Sequence, residues 1–401
     1  MKKAVMYGAG NIGRGFIGQL LSQSGYEVIF LDINDIIIDT LNRDNKYTIT
    51  AVSNDETKKI VVEHVRAINT KYHPEEAVKA IATCNIMATA VGANVLRFIA
   101  PIMAKGLSLR AETSQEPLNI LLCENLLHVD AFLKSLLEIE LGESSQHILR
   151  HVGFVEASIG RMVPVMLHET YPTDITVESF EVLHTDKNGF IGHIPTIKNM
   201  VSYAPFEVYI RRKLFMHNMG HAMTAYLGAL KGYTYIHEAI QDIDIKYVVY
   251  AAGIESAKAI AADGFPLTEL IDFYDRLIYR FNNEKLKDTI ERVGKDTKRK
   301  LSQHDRLVGA INLCKQKGIS YSYLLMGVAG GFLFDLDKNE QSMKLYHESI
   351  RDIKEAIQTY TGIHDEVDIK VISMLYELLE HKEFSKAISM CEKLKALNIV
   401  D

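Results

Sequence analysis

The sequence predicts an α/β fold, with an N-terminal Rossmann-type doubly wound sheet and a second, mostly helical domain. Three observations carry that prediction. Across the first 130 residues, short apolar runs alternate with helical patterns, the rhythm of βαβ units. A glycine fingerprint, Gly8-Ala9-Gly10-Asn11-Ile12-Gly13, separates the first run from the first helical pattern. After about residue 200, proline becomes sparse and helical periodicity runs to the end. The expected division is 1–195 for a dinucleotide-binding domain and 196–401 for a helical substrate and catalytic domain.

Lys3–Tyr7 reads as a strand, Ile12–Ser24 as a helix and Glu27–Leu31 as a second strand. Tyr47–Val52 and Lys59–Val65 flank the turn residues Ser53-Asn54-Asp55 and read as an inserted hairpin. Ile86–Thr89 and Asn119–Cys123 are later strands, each entered from a helical stretch, which implies a parallel sheet covered on both faces. His151–Val155 and Ile175–Leu183 are also strand-like. The tail, 336–401, is charged and helical in pattern.

At 401 residues, 47% hydrophobic and 24% charged, the chain is long enough for two full cores. A net charge of −6 gives no reason to expect nucleic acid or an anionic membrane as partner. The four cysteines lack Cys-x-x-Cys spacing, so neither a zinc site nor a disulfide framework is signalled. The N-terminus runs straight into a strand, without a signal-peptide pattern, and a reducing cytoplasm is the expected location. The oligomeric state stays open, with a slight preference for a monomer.

The fingerprint has a physical reading. Gly8 permits the turn out of the strand, Gly10 leaves room for a pyrophosphate, and Gly13 lets the helix pack on the sheet with its N-terminus facing the phosphates. The backbone of Asn11 and Ile12 belongs to the same cradle. Asp32 ends the next strand, where a carboxylate bonds the ribose hydroxyls and repels a 2′-phosphate. That favours NAD over NADP. Thr89, ending a later strand, would line the same crevice or be an ordinary turn residue. Asn125, after Cys123-Glu124, would hold a carbonyl or alkoxide oxygen, or simply form a turn.

Lys213, Asn218 and His221 lie within nine positions of an apolar helical pattern. At about 100° per residue they fall at roughly 0°, 140° and 80°, one wide side of a helix. Lys213 and His221 are separated by about 12 Å of rise, so the three converge only if the helix is irregular, with Gly220 as a place for that. A desolvated lysine can serve as a general base, although a half-buried helix carrying a solvated lysine fits the same pattern. Residues 280–306 hold nine Lys or Arg against five Asp or Glu, centred on Arg292, Arg299 and Lys300. Such a run is either a solvated face or an anion-binding wall.

Taken together, these motifs resemble the polyol-specific long-chain dehydrogenase (mannitol dehydrogenase) family over nearly the whole chain. The resemblance rests on Gly-Ala-Gly-Asn-Ile-Gly-Arg-Gly-Phe-Ile-Gly at 8–18, Thr-Ala-Val-Gly at 89–92 and Pro-Leu-Asn-Ile-Leu-Leu-Cys-Glu-Asn at 117–125. It continues in Arg-Lys-Leu-x3-Asn-x-Gly-His-Ala at 212–222, Arg-Phe-Asn-Asn at 280–283 and Arg-Val-Gly-x4-Arg-Lys-Leu-x3-Asp-Arg at 292–306. It implies an NAD-dependent oxidoreductase working without a metal on a small polyol or sugar phosphate, interconverting D-mannitol 1-phosphate and D-fructose 6-phosphate. Lys213 is then the general base, Asn218 and His221 contact the reacting oxygen and its neighbour, and Asn125 is a second oxygen-holding amide. Arg292 and Lys300 match substrate-contacting positions, while Arg299 is assigned to the phosphate from its place beside Lys300.

Two positions depart from the family pattern. Gly160, in Ile159-Gly160-Arg161, stands where an aspartate is common, and Arg211 stands where close relatives carry glutamate. The first removes a hydroxyl acceptor and the second adds a cation near Lys213. Two other readings therefore stay open: a family reductase acting on another polyol, ketose or keto-uronate, and a catalytically weak NAD-binding protein.

Overall fold

The computed structural model describes residues 1–126, 128–164 and 171–396. The chain forms two compact units, Met1–Glu207 and Val208–Asp401.

In the first unit, β1 (Lys2–Tyr7), β2 (Tyr26–Asp32), β3 (Lys46–Val52), β4 (Thr57–Glu63), β5 (Val65–Asn69), β6 (Ile86–Thr89) and β7 (Leu118–Leu122) follow one another. They are succeeded by β8 (Val152–Ile159), β9 (Ile175–Glu178), β10 (Leu183–Asp186) and β11 (Met200–Tyr203). The main sheet has the order β11-β10-β8-β7-β6-β1-β2-β5. Its neighbours are parallel except β8 and β10. The chain winds outward from β1 through β2 to β5, then from β6 through β7 to β8. The switch point lies between β1 and β6, where a doubly wound sheet opens its crevice.

Alternation fixes the register. Ala4, Met6, Val28 and Phe30 enter the core on one face; Val5, Tyr7, Ile29 and Leu31 enter the core on the other. A fully buried Val, Leu, Ile or Phe contributes about 1.5–3 kcal/mol, against about 1 kcal/mol net for a ladder hydrogen bond. A one-residue slip would therefore cost more in burial than in pairing.

Two strand expectations need correction. The hairpin forms as β3 and β4, but Val65 begins a separate strand parallel to β2. The run 175–183 is not one strand: β9 joins β3 and β4 in a small second sheet, and β10 joins the main sheet. A β-rich run carries no mark of which sheet will accept it.

At the switch point Gly8 has φ +102°, and a Cβ there would lie 2.7 Å from the Ala90 carbonyl oxygen. A Cβ on Gly13 would lie 1.9 Å from the Gly8 oxygen, whereas one on Gly10 would meet nothing within 4 Å. The helix read over 12–24 starts α-like at residues 11–12, widens at once into a π turn, Gly13–Gly18, and returns to α at Gln19–Gln23. Side chains take up its carbonyls: Arg161 Nη1 donates to Gly15 at 2.8 Å and Tyr47 Oη to Arg14 at 2.7 Å.

The second unit is mostly helical over its described length, including four helices in the tail between Glu340 and Ala396; the last five residues lie outside the described ones. Helix Ser322–Phe332 is buried at every position, as an all-round apolar helix must be. Glu255, on helix Ile243–Ala261, lies across its N-terminus. It accepts the Tyr323 and Leu324 N–H groups at 3.3 and 3.2 Å and the Ser322 hydroxyl at 3.3 Å. These are donors that the helix start leaves unpaired. No helix among the described residues is long and apolar enough to cross a membrane.

Two outcomes follow from this packing. Gly13→Ala forces helix and strand apart and should lower stability by about 1–3 kcal/mol. Gly10→Ala should leave the melting temperature nearly unchanged and weaken dinucleotide binding, because only the ligand's space is taken. Thermal melts and cofactor titration of both variants check this; equal melting losses would overturn the geometry. The second outcome concerns Glu255, whose carboxyl burial pushes from 4.5 up to about 8. Folding therefore favours its protonated form, and stability is lost as pH rises from about 5 towards 8. Glu255→Gln should gain melting temperature relative to the parent across that window. A parent-to-variant difference that does not vary with pH would show the carboxyl titrates normally.

Candidate active site

The first unit gathers its groups at the carboxyl ends of β1, β2, β6 and β7. Both ends of Ala9 are clamped. Its N–H donates to Asp32 Oδ2 at 2.6 Å, and its carbonyl accepts Arg14 Nε at 2.6 Å. Asp32 Oδ1 also accepts the Ile33 and Asn34 N–H groups at 2.7 and 3.0 Å. A carboxylate has about four acceptor sites, so capacity remains for a ribose hydroxyl. Arg14 is buried and donates through Nη1 to the Thr173 carbonyl at 2.5 Å, tying the glycine turn to the insertion before β9. Gly10 is exposed, and Asn11 and Ile12 are partly buried at the helix start.

Thr89 is fully buried and donates to Glu124 Oε2 at 2.7 Å, while Glu124 Oε1 accepts the Val91 N–H at 3.1 Å. The side chain of Thr89 is thus committed within the protein, and it shapes the crevice through the turn that follows it. Burial pushes the Glu124 carboxyl up, against the lowering effect of those hydrogen bonds. Asn125 follows Glu124 and is exposed.

In the second unit, helix Glu207–Arg212 passes into a π turn over Lys213–Asn218 and then into α-helix Met219–Leu230. The Met219 N–H reaches back five residues to the Leu214 carbonyl. The irregularity expected at Gly220 therefore lies between Lys213 and Asn218 instead. Gly220 serves packing: a Cβ there would lie 2.6 Å from the Tyr274 hydroxyl. A wide turn rotates less per residue than an α turn, so Asn218 lies nearer the Lys213 side than the about 140° of an ideal α-helix. Lys213 and Asn218 are both partly buried, and Asn218 Nδ2 is a buried donor without a hydrogen-bond partner among the described residues. His217 is buried on the same turn, where desolvation holds its pKa well below the ordinary value.

His221 stacks on Phe281, with centroids 4.8 Å apart and planes 15° apart. Its Nε2 lies 3.1 Å from Asp288 Oδ2. Desolvation lowers the His221 pKa despite that carboxylate. Arg292 donates to Asp288 Oδ1 through Nε at 2.7 Å and approaches it through Nη2 at 2.6 Å. His221 and Arg292 therefore meet on one buried carboxylate, which sequence reasoning passed over. The signal was present, since Asp288 stands four residues before Arg292 in a helical, basic stretch.

Lys300 is buried and donates from Nζ to the Val293 carbonyl at 2.5 Å. Desolvation first, then Arg306 and Arg299, hold its pKa well below the ordinary lysine value. Arg299 keeps 45% of its side chain exposed and spans two carboxylates, Asp296 at 2.5 Å and Asp305 at 2.8 Å. Arg306, the last residue of the motif over 292–306, is buried with Nε 2.7 Å from Asp305 Oδ1. Of the two departures, Gly160 lies where a Cβ would come 3.1 Å from Phe180 Cε1. Arg211 donates to Asp263 at 2.6 Å, and that carboxylate also takes Lys317.

A family model described as the mannitol dehydrogenase Rossmann domain matches residues 2–199, and the mannitol dehydrogenase C-terminal domain matches 206–396. A protein of Thermoanaerobacter pseudethanolicus named mannitol-1-phosphate 5-dehydrogenase is 38% identical, covering 95% of this chain and 99% of its own length. A protein of the same name from Streptococcus mutans is 36% identical over 95% and 100%. Among solved structures, the Pseudomonas fluorescens mannitol 2-dehydrogenase ternary complex with NAD and D-mannitol superposes with TM-score 0.78 at 15% identity, covering 98% of this chain and 94% of that one. A D-sorbitol dehydrogenase in substrate-free form gives TM-score 0.79 at 15% identity over 96% and 95%; at such identity both show the fold alone. With both family domains matched in order and relatives alike over more than nine-tenths of its length, the chain belongs to the mannitol dehydrogenase family.

Proposed function

We propose that the protein is an NAD-dependent dehydrogenase interconverting D-mannitol 1-phosphate and D-fructose 6-phosphate. The observation that carries the reading is Lys213, Asn218 and His221 set on one wide-turned helix, in a chain whose near full-length relatives bear the name of that activity.

The cofactor fits the first unit. The open space at Gly10, the helix start at Gly13 and the partly exposed Asp32 suit a pyrophosphate and a ribose without a 2′-phosphate. When bound, NAD supplies the two-electron acceptor for the carbinol hydrogen. In oxidation, neutral Lys213 takes the hydroxyl proton, and the buried Asn218 amide donates to the oxygen as negative charge develops there, with Asn125 as the second amide. His221 contacts a neighbouring hydroxyl. Arg292 and Lys300 hold the substrate chain, and the exposed part of Arg299 reaches the phosphate. A phosphorylated sugar is charged and stays on the side of a membrane where it is made, which supports a cytoplasmic site of action.

One observation favours a second reading. Gly160 beside Phe180 removes a hydroxyl acceptor, which suits a related polyol, ketose or keto-uronate. Following NADH absorbance with a panel of ketose phosphates, ketoses and keto-uronates decides between the two.

Lys213→Ala should lower the turnover number by about 10² or more, the usual scale of general-base catalysis, and leave NADH binding intact. Turnover near that of the parent would remove Lys213 from the mechanism. Fructose 6-phosphate should exceed fructose in kcat/KM by about tenfold or more, since one charge-assisted hydrogen bond is worth roughly 1.5–3 kcal/mol. Arg299→Ala should shrink that ratio to within about threefold. Equal efficiencies, or a ratio untouched by the substitution, would take the phosphate away from Arg299 and put the second reading ahead.

A further inference from the structure

The contact between His221 and Asp288 has a chemical direction. His221 Nε2 and Asp288 Oδ2 are both buried and lie 3.1 Å apart, and neither makes a well-formed hydrogen bond to any described residue. The separation is of hydrogen-bond length. Were Nε2 to carry its lone pair, two acceptors would face each other in the interior, and both would lose their hydration without compensation. The proton therefore sits on Nε2. Arg292 fixes the other half of the carboxylate, because both of its contacts fall on Oδ1. Burial pushes the Asp288 carboxyl up, yet the His221 and Arg292 contacts outweigh it and hold it below the ordinary range. His221 is itself held below its ordinary value. A neutral imidazole thus faces a carboxylate. His221 keeps 13% of its side chain exposed; since Nε2 is buried, the nitrogen left to meet a ligand is Nδ1, and it bears the lone pair.

We propose that Asp288, anchored by Arg292, is a positioning residue that fixes His221 as the Nε2–H tautomer, so that Nδ1 accepts a hydrogen bond from a substrate hydroxyl. The inference rests on the reading of His221 as a substrate contact and divides the labour of the site. The donors to the developing alkoxide are the amides, and His221 instead reads the presence of a hydroxyl beside the reacting carbon. A substrate with a carbonyl or ether at that place offers Nδ1 nothing to accept.

The test is the imidazole tautomer. Long-range proton–nitrogen correlation on the full-length protein labelled at histidine, with His221→Gln identifying the resonance, should show a protonated Nε2 and a bare Nδ1. Asp288→Asn supplies the second arm. Two Arg292 donors require oxygen at the Oδ1 position, so the new amide NH2 faces His221 and should move its proton to Nδ1. That variant should keep its NADH affinity and lose about tenfold in kcat/KM on fructose 6-phosphate, since Nδ1–H no longer accepts and the substrate hydroxyl must turn away from its preferred donating pose. A parent with Nδ1–H or an imidazolium at neutral pH overturns the proposal. So does a folded Asp288→Asn in which the tautomer or the efficiency is unchanged. If that variant does not fold, the parent spectrum decides alone. A parent inactive on fructose 6-phosphate would count against the proposed reaction and leave the tautomer measurement standing.

Discussion

The approach of Gly13 to the Gly8 carbonyl is the constraint on which the first unit depends. With 1.9 Å between a hypothetical Cβ and that oxygen, the helix start can lie directly on the end of β1 only because no side chain intervenes. The strand order then places this point at the switch between β1 and β6. Everything else there is fitted to it. Asp32 and Arg14 hold the two ends of Ala9, and Glu124 steadies the adjoining turn through Thr89 and Val91. The loop is ordered by side chains that have given up much of their own hydrogen-bonding freedom, so a ligand meets a cradle already formed.

The glycine turn and the Lys213 stretch each contain a wide π turn, Gly13–Gly18 and Lys213–Asn218. Such turns are rare and have poorer hydrogen bonding, so surrounding contacts must hold them. In the first unit Arg161 and Tyr47 bond the carbonyls. In the second the turn changes which side chains share a face, drawing Asn218 toward Lys213 where a regular α-helix would separate them. Irregular backbone here changes which side chains share a face, at some expense in helix stability.

The basic stretch shows how pairing changes the meaning of charge. A surplus of cations over 280–306 suggests an open anion wall, yet Arg292 is bound to Asp288, Arg299 spans Asp296 and Asp305, and Arg306 lies on Asp305. Buried charges persist only when compensated in this way. Lys300, stripped of water by burial, held by a neutral carbonyl and crowded by Arg306 and Arg299, has its charged form disfavoured instead.

The sequence by itself determined the doubly wound core, the hairpin, the glycine turn with Asp32 and the helical second half. These follow from local rules: burial periods of 2 and about 3.6 residues, and backbone demands that only glycine meets. It left β5 hidden in a hairpin strand, ran β9 and β10 together, and moved the helix irregularity to Gly220. It gave no role to Arg14, Glu124, Asp288 or Arg306, because what each of them bonds depends on groups that only the fold brings beside it. Tertiary structure decided these matters. A linear pattern records which face a residue turns inward, whereas sheet membership, helix winding and the protonation of His221 depend on which distant groups that face then meets.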